Sequence, residues 1–201
     1  MPTFRALTMI GSILSIAIGA WIAAGASAPT HANVITDWDE NAVSVVRQMP
    51  PYSAQRVMGM VHAAMFDAVN SIERRYRPYL VQLPAPPTTS KEAAAAAAAA
   101  AILVAIDPKT GNNTKALVAS YLASIADSES KSDGVKLGEA VAAKVLEARA
   151  NDGADAPDAY RPRTTPGVYV PTPITAGSTW PNVKPFAMAK GSQFRPGRRF
   201  R

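Results

Sequence analysis

The chain has 201 residues and a net charge of +6, with 48% hydrophobic residues but only 7% aromatic ones. That length allows one domain with a real core. Alanine supplies much of the apolar content and buries little area, so close helix packing is implied more than a thick core. The absence of cysteine excludes a disulfide framework, a thiolate metal site, a lipid-modified cysteine and a thiol nucleophile.

Arg5 precedes an uncharged run, Ala6 to Thr30, that is apolar through ILSIAIGAWIAAG and ends in small residues. This is the layout of a secretory signal, with cleavage expected after Ala32. The alternative is an uncleaved membrane anchor, the only route by which a membrane enters this reading. An exported chain without disulfides fits a bacterial periplasmic or secreted protein.

Asn33 to Arg47, NVITDWDENAVSVVR, reads as a short lead-in helix capped by Asp39 or Asn41 and broken by Met49-Pro50-Pro51. The next stretch, Tyr52 to Leu80, reads as the central helix, with Ser53 as N-cap and fraying from Arg74 to Pro78. Val57, Val61, Met65, Ala68 and Ile72 form its apolar arc. On the opposite flank Arg56, Asp67 and Asn70 fall within roughly 60° of one another, with His62 to one side. A helix that is small or apolar nearly all round packs centrally, and its polar groups need partners. Arg56, His62, Asp67 and Asn70 are therefore read as a structural polar network.

Leu80 to Ser90 is a proline-rich connector, and Thr89 with Glu92 fits a capping box for the following helix. Nine alanines, Ala93 to Ala101, run into Ile102, Leu103, Val104 and Ile106; such a smooth helix lets neighbours approach closely. Asn113 or Thr114 is expected to cap a further helix with Leu117, Val118, Tyr121, Leu122 and Ile125 on its stripe. Ser128 to Gly134 reads as a polar turn. The last helix carries Leu137, Val141 and Val145 and closes at Asn151-Asp152-Gly153. From Asp155 onward recurrent prolines forbid long regular elements. Tyr160, Val168, Tyr169, Val170, Trp180 and Phe186 are then aromatic and apolar anchors for an arm draped over the helices.

The fold class is thus all-α, a bundle of about four helices with a Pro-rich extended arm. The divisions are 1–32 for the signal, 33–154 for the helical domain and 155–201 for the arm. Arg195, Arg198, Arg199 and Arg201 crowd its end; this reads as an aberrant basic tail, with no nucleic-acid partner expected.

Chemistry-bearing patterns are sparse. HEXXH, Walker-type, GxGxxG and GxSxG motifs do not occur. His31 leaves with the signal, and His62 and Asp67 diverge by roughly 140° around the helix, so His62 is read as a hydrogen-bonded core histidine. Asp37, Asp39 and Asp67 could be nominated as paired carboxylates, but nothing fixes their separation.

VHAAMFDAVNSIERRYRPYL (61–80) resembles the N-terminal helical part of bacterial vanadium-dependent haloperoxidase-like proteins, relatives of type 2 phosphatidic acid phosphatases. NVITDWDENAV, GEAVAAKVLEARANDGAD, YRPRTTPGVYVPTP and WPNVKPFAMAKGSQFRPG agree in order and spacing, from Asn33 to Gly197. The resemblance implies a helical bundle whose chemistry lies in a later half. There Lys, Arg, a Pro-Ser-Gly-His segment and a final His hold vanadate or a substrate phosphate.

No catalytic, cofactor-binding or metal residue carries over. Pro-Ser-Gly-His is missing, and Lys190 with Arg195-Pro196 matches the phosphatase opening only in residue type, at too short a spacing. Relatives continue past the FRPG-like segment, whereas here Arg198-Arg199-Phe200-Arg201 follows. The expectation is an exported haloperoxidase- or phosphatase-like protein truncated or frameshifted before its catalytic half. It would be inactive alone and without cofactor, vanadate being implied only for full-length relatives. Its helices would then expose apolar faces and self-associate. The alternative is a non-catalytic exported or membrane-anchored helical module that binds a partner.

Overall fold

Five stretches rich in helix formers become helices, three of them opened by a side-chain cap. In the computed structural model, which describes residues 33–157, 161, 165–166, 170 and 176–196, they are α1 (Val34–Val46), α2 (Pro51–Glu73), α3 (Lys91–Ile106), α4 (Gly111–Ala123) and α5 (Glu129–Arg149). Among the described residues there is no strand, and the architecture is all-α. These residues belong to one compact unit, Asn33–Arg201. Residues 1–32, expected to be a signal, Tyr160, Val168 and Tyr169, expected to be arm anchors, and Arg198, Arg199 and Arg201 lie outside the described residues. Among the described residues, no helix is long and apolar enough to cross a membrane.

The hub is α3 rather than α2. It packs against α1, α2, α4 and α5, most extensively against α5, and Ala93 to Ala100 are all buried. The cause is side-chain size. A helix of alanines has only shallow ridges, so a neighbour can approach it closely. On α5, Gly134 and Gly138 sit one turn apart on the contact. A Cβ at Gly138 would lie 2.2 Å from the Ala94 carbonyl oxygen, and one at Gly134 would lie 2.6 Å from that of Ser90. In contrast, α2 buries Val57, Met60, Val61, Ala64, Met65 and Ala68 while leaving Phe66 exposed.

Several boundaries differ from the sequence expectation. Helix α1 is capped by Asn33, whose Oδ1 accepts from Ile35 N at 3.0 Å, so Asp39 and Asn41 lie inside it. Helix α2 begins at Pro51, where the missing N–H costs nothing; Ser53 is interior. The α3 cap is Ser90, accepting from Ala93 N, while the Thr89 hydroxyl is buried without a partner among the described residues. Thr110 precedes α4, placing Asn113 and Thr114 in its first turn. Ser128 to Gly134 is not a turn. Ser128 caps α5, and Gly134 serves close packing instead.

Helix α2 ends where Arg74 takes the left-handed conformation, φ 52°, and its N–H bonds Asn70 O. Beyond α5, Gly153 turns the chain with φ 90°. A short 3-10 helix, Trp180–Asn182, marks the described arm. Trp180 meets Tyr52 at 5.0 Å between ring centroids, and Phe186 lies over Gly59, where it would crowd any Cβ. Val170, expected as an anchor, is exposed.

Candidate functional site

The four polar residues singled out on α2 do not form one network. Arg56 pairs with Asp152 beyond α5, His62 with Asp39 on α1, and Asp67 and Asn70 with the connector that follows α2. Toward the C-terminal end, Asp67 is fully buried and accepts three backbone N–H groups of the connector. Tyr79 donates to Oδ1 at 2.7 Å, and Leu80 and Val81 donate to Oδ2 at 2.8 and 2.9 Å. Asn70 works beside it. Its amide donates to Tyr76 O at 2.8 Å and its Oδ1 accepts from Tyr76 N at 2.9 Å. One turn on from Asp67, the Ser71 hydroxyl accepts from Leu83 N. Together they give the irregular RRYRPYLVQL segment the hydrogen bonds that a helix or sheet would otherwise supply.

His62 faces α1. Its Nε2 lies 2.8 Å from Asp39 Oδ1, and because an ionised carboxylate only accepts, Nε2 carries the proton. The two side chains are 42% and 48% exposed, so His62 is a surface group rather than a core histidine. Of the nominated carboxylates, Asp39 is thus held by His62 and Asp67 by the connector. Among the described residues, no group of three His, Asp or Glu is arranged to hold a metal ion.

Arg56 points to the other end of the bundle. Its Nε donates to Asp152 Oδ2 at 2.7 Å, and its Nη2 donates to Arg149 O at 3.0 Å. Arg149, one turn before Asp152, brings its Nη2 to 2.7 Å from the same Oδ2, off the hydrogen-bond line. The remaining oxygen, Oδ1, accepts from Ala154 N. Burial raises the Asp152 carboxyl. The Arg56 hydrogen bond, the Ala154 N–H and the charges of both arginines outweigh it and hold the group below the usual aspartate range. Two guanidiniums therefore share one carboxylate. The Phe186 ring lies 4.1 Å from Arg149 Cζ, a cation–π contact that spreads part of the surplus. The arm closes over this cluster through Lys184 N, which donates to Asp152 O at 2.8 Å, and Tyr79 Oη, which donates to Phe186 O at 2.9 Å. Burial pushes the Tyr79 phenol above its usual value, Arg149 opposing and Asp67 assisting.

Beside the cluster is a cleft of about 290 Å³ lined by Arg56, Arg149, Trp180, Lys184, Phe186 and Met188, among others. Sequence reasoning found Arg56 but missed Arg149 and Asp152. The available signal is an acid just past a helix C-terminus, which the helix dipole disfavours unless a cation stands by. No protein-family model matches the chain, and no curated protein or solved structure shows significant similarity to it.

Proposed function

We propose that this helical unit is the scaffold portion of an exported vanadium-dependent haloperoxidase-like or acid phosphatase-like protein, a body that supports an oxyanion site without holding it. The observation that carries the reading lies in the stretch most like that family, 61–80. Asp67 and Asn70 spend their hydrogen-bonding capacity on the backbone of Tyr76, Tyr79, Leu80 and Val81. A carboxylate that already accepts three N–H groups positions chain and is poorly placed to act as a base on a substrate. The resemblance supplies the family; the hydrogen bonds supply the scaffold role. Self-association fits the same reading, since Phe66 and Tyr76 pair at 6.3 Å between centroids while remaining 40% and 56% exposed.

The test is turnover by the purified 201-residue chain, with and without vanadate. Halide-dependent oxidation by peroxide and hydrolysis of a phosphomonoester are both expected to stay at the blank rate. Either activity, retained through purification and abolished by unfolding, would overturn the proposal.

A further inference from the structure

The Arg56–Asp152–Arg149 cluster leaves a positive charge unaccounted for at the base of a cleft. Both guanidiniums converge on Asp152 Oδ2, and Asp152 Oδ1 is taken by Ala154 N. Arg149 is only 4% exposed. Among the described residues its Nε and Nη2 have no hydrogen-bond acceptor, and its Nη1 reaches Pro185 O only at 3.5 Å. Taking a guanidinium out of water without full pairing is costly, and the cost is relieved if an anion occupies the adjoining space.

That space has two parts. The cleft beside Arg56 and Arg149 has a mainly apolar wall, made by Trp180, Pro181, Val183, Pro185, Phe186 and Met188. Lys184 stands on its rim and also lines a neighbouring, more polar cleft of about 560 Å³ that includes Lys190 and Arg195. Among the described residues, no carboxylate lines either cleft. A cation-rimmed concavity concentrates anions from solution, and an apolar wall adds affinity only for a ligand with an apolar body. A bare oxyanion would leave that wall wet, and a neutral apolar molecule would leave the charge unpaired.

We propose that this cleft is a binding site for a small organic anion. Its flat apolar or aromatic body would lie against Trp180 and Phe186, and its carboxylate or phosphate would meet Arg56 and Lys184. Arg149 acts behind them as a fixed positive charge. Its guanidinium, stacked on Phe186, need not touch the ligand.

The experiment is titration calorimetry on the full chain at low salt with four probes: phenyl phosphate, benzoate, inorganic phosphate and benzyl alcohol. The indole resonance that disappears in Trp180→Phe serves as the local reporter. At least one aromatic anion should bind saturably and shift that resonance, and which one does so identifies the head group. Inorganic phosphate and benzyl alcohol should each bind at least about tenfold more weakly. Lys184→Glu and Met188→Asp change two exposed side chains that line the cleft without touching the buried cluster. Each should weaken the aromatic anion by about tenfold. Failure of both aromatic anions to saturate would overturn the proposal. So would unchanged affinity in both variants, or equal binding of inorganic and phenyl phosphate.

Discussion

Replacing Gly138 with alanine tests whether the fold rests on backbone contact between α3 and α5. The added Cβ would lie 2.2 Å from Ala94 O, 2.8 Å from Ala98 N and 2.9 Å from the Ala97 Cβ, where ordinary contact begins near 3.4 Å. None of these atoms belongs to a flexible side chain, so α3 must retreat by about an ångström, loosening contacts along a closely packed interface. Overpacking of this kind costs roughly 1–3 kcal/mol, and a clash with backbone belongs at the upper end. Alanine returns about 1 kcal/mol through helix propensity. The net expected loss is about 2 kcal/mol, a fall in Tm of about 4–8 °C for a domain of this size. Urea denaturation followed by circular dichroism measures it. Gly111→Ala is the control, since its Cβ would meet Val104 Cγ1 at a comfortable 3.6 Å and no loss is expected. A Gly138→Ala protein as stable as the parent would refute the close-approach account, as would an equal loss in Gly111→Ala.

The other predictions concern polar groups and one strained residue. Asp152→Asn leaves Arg56 and Arg149 without their shared countercharge and should cost about 3–5 kcal/mol in urea; a loss below that of an exposed pair would show the cluster to be energetically idle. The parent should also lose stability in acid. Because the folded Asp152 carboxyl lies below its ordinary value of 3.8, its contribution is present above that pH and disappears as pH falls through the lower folded value. Asp67→Asn keeps an acceptor for some of the three N–H groups but turns an NH₂ toward the rest, for an expected loss of about 1–3 kcal/mol. Hydrogen exchange at Tyr79, Leu80 and Val81 should accelerate with it, and unchanged protection there would count against the carboxylate's role. Arg74→Gly relieves a left-handed residue at the end of α2 and should gain about 0.5–1 kcal/mol; a loss would mean the Arg74 side chain makes a contact that matters.

What could be read from the sequence depended on how far each interaction reaches along the chain. Helix existence was legible throughout, because capping residues and the Pro-Pro break act within a few positions. Cap identity was less so. Asn33 won over Asp39 because Val34, Ile35 and Trp38 pack against the core, a tertiary gain invisible to local pattern, and Ser90 caps α3 one position past Thr89. Asp67 and Asn70 were legible as paired groups. Their partners lie only 6–14 residues on, in a segment that leaves the helix at left-handed Arg74 and whose Pro78 keeps it from resuming one. Arg56 was legible only as a residue in need of a partner, since Asp152 lies 96 residues away. Gly134 was misread for a related reason. A glycine among Ser, Lys and Asp reads as a turn until the start of the poly-alanine helix is known to lie against it, Ser90 O 2.6 Å and Ala93 Cβ 3.0 Å from where its Cβ would be.

The two ends of α2 therefore do different kinds of work. Its C-terminal half pairs every singled-out polar group with nearby backbone, and the connector it holds packs Val81, Leu83 and Ala85 against the core. That end is saturated, and added ligand would have to displace protein bonds of equal quality. Its N-terminal half meets α5 and the arm, elements that arrive from far along the chain and bring Arg149 and Asp152 to Arg56. Imbalance of that sort is destabilising by itself, so its persistence beside an apolar cleft is more economically explained by an occupant than by folding. The scaffold proposal turns on 61–80, whereas the binding proposal turns on the unbalanced charge at Arg56, Arg149 and Asp152 beside the arm.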